Sequence, residues 1–108
     1  SKIGDGTVVM AGVSINADVT IGNHAILNTN SSIDHDCVIG NFVHVSPNVS
    51  LAGNVHVGDG THLGIGSCVI QGIKIGRNCV IGAGSVVIRD VEDNTVVVGN
   101  PAKAIKKK

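Results

Sequence analysis

The stretch Ile33-Asp34-His35-Asp36-Cys37-Val38-Ile39-Gly40-Asn41-Phe42-Val43-His44-Val45-Ser46-Pro47-Asn48-Val49-Ser50-Leu51-Ala52 puts an aliphatic residue at every sixth position: Ile33, Ile39, Val45 and Leu51. The register extends in both directions. It starts at Ile3 and reaches Val87 without a break, and all fifteen positions are Ile, Leu or Val. Only 34 of the 108 residues are of these types, so chance does not produce the run. Four residues beyond each aliphatic lies a small or β-branched residue, as at Ser31, Cys37, Val43 and Val49. The residue directly after the aliphatic is Gly seven times in fifteen, and Gly4, Gly22, Gly40, Gly58 and Gly76 are spaced by 18.

A period of six suits neither a helix nor a row of hairpins. It suits short strands joined by turns, with two inward side chains per unit. A period of 18 closes one coil from three units, and the coils stack at the strand spacing of about 4.8 Å. Five coils over residues 3–92 predict a prism roughly 24 Å tall. Gly is expected where the backbone turns into conformations closed to a Cβ. A narrow triangular interior also accounts for one Phe and no Trp or Tyr. Residues 93–108 leave the period and are expected to form a final strand, a cap in which Asn100-Pro101 starts one helical turn or ends the coil, and a frayed basic tail.

Bulk composition excludes several functions. Formal net charge is zero and aromatics for base stacking are missing, so no nucleic-acid surface is expected. No apolar run approaches a membrane span, and no membrane partner is expected. Three Cys without an export signal read as free thiols in a reducing compartment, hence a cytoplasmic location. Cys37 and Cys79 fall on inward positions and Cys68 on an outward one.

Residues 18 apart stack, so the sequence alone names neighbours. His44 lies under His62. His35 lies under Gly53, which leaves a notch over its imidazole, and it stands between Asp34 and Asp36. A carboxylate beside an imidazole favours its protonated form and can fix its tautomer, as a general base requires. Zinc catalysis needs three well-placed ligands. The closest His pairs here are 6 and 9 apart, and no metal is expected.

The repeated pattern aliphatic–Gly–x–x–small–x resembles the hexapeptide-repeat acyltransferases, over residues 3 to about 105. That resemblance implies an all-β fold, a left-handed parallel β-helix of about five 18-residue coils with a short C-terminal cap. The segment from Ile26-Leu27-Asn28-Thr29 through Ile33-Asp34-His35-Asp36 to Phe42-Val43-His44, with the close Val98-Gly99-Asn100-Pro101-Ala102-Lys103, is similar to the bacterial sugar acetyltransferases of the bacillosamine, perosamine and sialic acid O-acetyltransferase group. The implied activity is acetyl transfer from acetyl-CoA to a sugar amine or hydroxyl, on a nucleotide-linked amino sugar in bacterial glycan biosynthesis. By the same resemblance His35 is the catalytic base, Asp36 its acidic partner and Asn28 a residue lining the site. His44 meets the thioester end of acetyl-CoA, the Gly53 N–H lies near the thioester carbonyl, Ile65 and Ala83 line the CoA arm, and Lys103 meets its phosphates. The resemblance implies a homotrimer with sites at subunit interfaces. It also implies an N-terminal nucleotide-sugar domain, and this chain is read as starting inside the β-helix without it. The alternative is a non-catalytic trimeric β-solenoid scaffold, or a CoA-binding module lacking its acceptor domain. Phe42, His56 and His62 receive no role.

Overall fold

A computed structural model describes residues 1–108. It contains no helix. Fifteen two-residue strands, β1–β15, follow the six-residue register, and two longer strands complete the chain. Sheet A stacks β1 (Lys2–Ile3), β4 (Thr20–Ile21), β7 (Val38–Ile39), β10 (His56–Val57) and β13 (Lys74–Ile75). Sheet B stacks β2 (Val8–Val9), β5 (Ile26–Leu27), β8 (His44–Val45), β11 (His62–Leu63) and β14 (Val80–Ile81), then β16 (Thr95–Val98) and β17 (Lys103–Lys107). Sheet C stacks β3 (Ser14–Ile15), β6 (Ser32–Ile33), β9 (Ser50–Leu51), β12 (Cys68–Val69) and β15 (Val86–Val87). All pairs among β1–β15 are parallel with an 18-residue offset, such as Ile39 beside Val57 and Leu63 beside Ile81. The fold is the left-handed parallel β-helix.

Alternation within each two-residue strand decides the core. The second residue points inward and the first outward. Leu27, Ile33, Val45, Leu63 and Ile81 are fully buried, and so are the small partners Ala25, Cys37, Val43 and Val49. Several inward polar residues bond to turn carbonyls: the Thr61 hydroxyl donates to Gly76 O at 2.7 Å, and the Cys37 thiol to Ala52 O at 3.2 Å. Burial pushes the Cys37 thiol pKa up, which keeps it a neutral core group. Ile3 and Val9 of the first coil have a neighbouring coil on one side only and stay exposed.

Three corners connect the sheets. The C–A corner carries residues 16–18, 34–36, 52–54 and 70–72. The A–B corner carries 4–6, 22–24, 40–42, 58–60 and 76–78. The B–C corner carries 10–12, 28–30, 46–48, 64–66 and 82–84.

Two sequence expectations change here. The Gly column spaced by 18 is not in the left-handed region. It is a clearance column: a Cβ on Gly58 would lie 2.6 Å from Arg77 N and Gly76 C of the next coil. Positive φ falls two residues later, where Gly6 and Gly60 (φ 73°) share the column with His24, Phe42 and Asn78. The C-terminal segment also departs from a helical cap and a frayed tail. Asn100–Pro101 forms a turn, and Lys103–Lys107 returns as β17, antiparallel to β16. The reason is the exposed edge of sheet B, whose unpaired backbone groups take up another strand. The 18-residue offset itself ends after Val87. Val91 pairs with Ile75, and Val96 with Val80, at an offset of 16. The corner at Ile88-Arg89-Asp90 is therefore two residues shorter than those below it. The extra strands of sheet B lengthen the molecule to 32 × 21 × 20 Å.

Candidate acyl-transfer site

At the C–A corner, β6 delivers Asp34-His35-Asp36 to the surface. Asp34 is held on two sides: its Oδ1 accepts from Asn16 Nδ2 and from the His35 backbone N–H, each at 2.8 Å. Those bonds, Asn16 first, hold the Asp34 carboxyl below its ordinary range. Asp36 adopts φ 59°, a conformation Asp tolerates. That turn brings its Oδ2 to 3.1 Å from His35 Nδ1, with both side chains half exposed. A carboxylate acceptor there places the ring proton on Nδ1 and leaves Nε2 bare.

Gly53 sits one coil above. A Cβ on it would lie 2.6 Å from both Cε1 and Nε2 of His35, so the imidazole occupies the space a side chain would need. The backbone N–H of His35 is taken by the carboxylate of the preceding Asp34. Gly53 follows Ala52, which has no such acceptor, and its N–H makes no hydrogen bond within the chain. A bare imidazole nitrogen and a free amide donor thus stand side by side.

The other nominated residues lie elsewhere. Asn28 is on the B–C corner, directly below Ser46, and its Oδ1 accepts from the Thr29 N–H at 2.7 Å. His44 is on the outer face of sheet B, and its ring meets that of His62 with centroids 4.6 Å apart. Ile65 and Ala83 stack on the B–C corner, where Gly84 N–H donates to Ile65 O at 2.8 Å, and Ile65 is 57% exposed. Lys103 is on β17 and lines a cavity of about 470 Å³ with Arg89 and Lys107. Within one chain, then, His35, Asp36 and Gly53 form one cluster. Asn28 and the Ile65–Ala83 ridge lie on the next corner, across sheet C, and His44 lies beyond it on sheet B. Over sheet C, along the His35 corner, runs a groove of about 340 Å³, lined by Ser14, Ser32, Ser50 and Cys68 and edged by Asn16, Asp34, Ala52 and Ile70. No three His, Cys, Asp or Glu side chains converge as a metal set would.

Sequence reasoning passed over Ser46. Its hydroxyl lies 3.2 Å from His62 Nε2, and the residue is 4% exposed. The available signal was its place 18 residues above Asn28.

Fifteen short strands in a six-residue register, closed into coils of 18, define a hexapeptide-repeat protein. The family profile "Bacterial transferase hexapeptide (six repeats)" matches residues 1–35 and 54–89, and the chain belongs to that family. Solved structures agree. The acetyltransferase domain of PglB from Neisseria gonorrhoeae is 39% identical, with TM-score 0.95 over 96% of this chain and 51% of that one. The same domain in complex with acetyl coenzyme A gives 0.94 at 39% identity, over 97% of this chain and 52% of that one. A histidine-to-alanine mutant of GDP-perosamine N-acetyl transferase from Caulobacter crescentus, in complex with CoA and GDP-perosamine, is 46% identical, with TM-score 0.97 over 98% of this chain and 50% of that one. This chain spans about half the length of these relatives. No curated protein sequence matches it.

Proposed function

We propose that this chain is the acetyl-donor part of an acetyl-CoA-dependent sugar N- or O-acetyltransferase, with His35 as general base. The observation that carries the reading is the Asp36–His35–Gly53 cluster: a Nδ1 contact at 3.1 Å, a bare Nε2, and a free amide over the ring. Similarity to acetyltransferases bound to acetyl-CoA, or to CoA and an amino sugar nucleotide, supports the substrate classes.

The acceptor amine or hydroxyl attacks the thioester carbonyl while His35 Nε2 takes its proton. Asp36 orients the ring and offsets the imidazolium charge. The Gly53 N–H meets the developing oxyanion. The C–S bond then breaks, His35 returns the proton to the sulfur, and CoA thiol leaves. Asn28 and His44 contribute at the reacting end, the Ile65–Ala83 ridge carries the CoA arm, and Lys103 meets its phosphates.

The separation of the two corners supports a homotrimer. Sheet C presents Ser14, Ser32, Ser50, Cys68 and Val86, an outer face without charge. Three copies packed with that face toward a common axis would set the His35 corner of one against the Ile65 corner of the next. The acceptor would be a nucleotide-linked amino sugar. The deciding measurement is transfer from acetyl-CoA by His35→Ala, in the assembly that carries the acceptor site. Loss of on the order of 10²–10⁴-fold, with the oligomer intact, is expected for a general base. Near-normal transfer would overturn the assignment.

A further inference from the structure

Two residues near His44, His62 on the outer column of sheet B and Ser46 on the B–C corner, have no part in the mechanism above. His62 stands one coil above His44, and the two rings tilt by 54° at 4.6 Å. The His62 ring is tied down by its Nε2 contact with the Ser46 hydroxyl at 3.2 Å. Ser46 is itself fixed, because it is buried and its N–H donates to Leu63 O at 3.1 Å. His44 Nε2 is shielded from solvent and has no hydrogen-bond partner in the chain. Such an orphaned polar atom calls for an explanation.

Charge supplies one. Two imidazolium rings at this separation repel, and a shielded nitrogen without an acceptor penalises the charged form further. The strands flanking β8 present Ile26 below and His62 above, and the rest of the column is Val8, Val80 and Val96. The B–C corner beside it has no charged residue. The A–B corner has Asp5, His24, Asp59 and Arg77, and Asp59 Oδ1 is already taken by the Asn41 N–H at 2.8 Å. No carboxylate in this column opposes His62.

We propose that His62, fixed by Ser46, is a positioning residue that keeps the His44 ring in place and uncharged at the acyl-donor end of the site; the identity of that donor rests on the acetyl-transfer reading. A neutral imidazole can offer an N–H to the thioester carbonyl and still leave the chemistry of proton removal to His35. Burial first, and the neighbouring His62 second, hold His44 below the ordinary protonation range of a histidine, in keeping with this role.

The test is an NMR titration of the five imidazoles in the whole chain, for wild type, His62→Gln and Ser46→Ala. The His44 midpoint is expected to rise toward its ordinary value in His62→Gln and to rise less in Ser46→Ala, while His24 and His35 stay put. An unmoved His44 in both variants overturns the proposal. Should His62→Gln lose its fold, His62→Phe keeps a ring against His44 and is judged by the same criterion. A kinetic arm adds the role at the donor. In His62→Gln the acid limb of kcat/KM for acetyl-CoA should move to higher pH, with a loss of roughly fivefold below neutrality, the worth of one ordinary hydrogen bond. A shifted midpoint with an unmoved acid limb overturns the role at the donor. If no form transfers acetyl groups in the assembly that carries the acceptor site, wild type included, the acetyl-transfer reading fails, and the titration still reports the His44–His62 pairing on its own.

Discussion

His35 and Phe42 occupy neighbouring corners of one coil, and each has a glycine one coil above it, Gly53 and Gly60. The two glycines are there for different reasons. Gly53 has an ordinary φ, and its missing Cβ is space the His35 ring fills. Gly60 has φ 73°, and nothing lies within 4 Å of where its Cβ would be. One glycine serves a side chain and the other serves the backbone. The side chains below differ in the same way. His35 is bound to Asp36 and capped by Gly53. Phe42 stays 65% exposed in a left-handed conformation, leaning on His24 with centroids 5.3 Å apart. The corner with a built notch is the one to which the proposed function assigns acetyl transfer.

That contrast breaks most visibly at Gly53. Gly53→Ala needs no unusual backbone angle, so the fold should tolerate it and even gain a little by restricting the unfolded chain. The new methyl would displace the His35 ring, whose rotation is easier than a shift of stacked backbone. Transfer activity should fall about 10²-fold, the scale of a misplaced catalytic group, with the melting temperature nearly unchanged. Equal activity in an acetyl-transfer assay would show that the notch is not needed for the reactive pose.

A solenoid turns separation in sequence into height, and for that reason much of the site could be read early. His35 under Gly53, His44 under His62, and Ile65 under Ala83 each follow from an offset of 18. The inward placement of Cys37 and Cys79 follows from the six-residue register. What escaped depends on side-chain reach or on a broken period. The Ser46–His62 contact crosses between columns at an offset of 16, so no column reveals it. The two-residue shortening at 88–90 hides because Val91 is apolar and buried under either register. The return of Lys103–Lys107 as β17 depends on an open sheet edge, which local lysine-rich composition does not announce. The glycine column was legible as a column and misread as to cause, since crowding by the next coil and positive φ both select Gly.

Gly60 gives the intermediate effect. Gly60→Ala meets open space but must hold φ near 73°, which costs about 1 kcal/mol for an L-residue. A chain of this size should then melt roughly 5 °C lower, with acetyl transfer unaffected. A change in activity comparable to that of Gly53→Ala would mean that the A–B corner takes part in the reaction.

The smallest effect belongs to Phe42. Five of the nine non-glycine residues at positive φ are Asn, whose short polar side chain suits that region, and Phe42 is the bulky exception. Phe42→Asn should relieve backbone strain of about 1 kcal/mol. It also removes the ring pair with His24, whose worth is on the order of 0.5 kcal/mol at so exposed a site. The second term offsets about half of the first, and a net stabilisation of about 0.5 kcal/mol is expected from denaturant unfolding of the whole chain. Destabilisation beyond about 1 kcal/mol would show that the Phe42 ring packs against more than His24. In that case the A–B corner carries contacts of its own, and its difference from the His35 corner would be one of partner rather than of purpose.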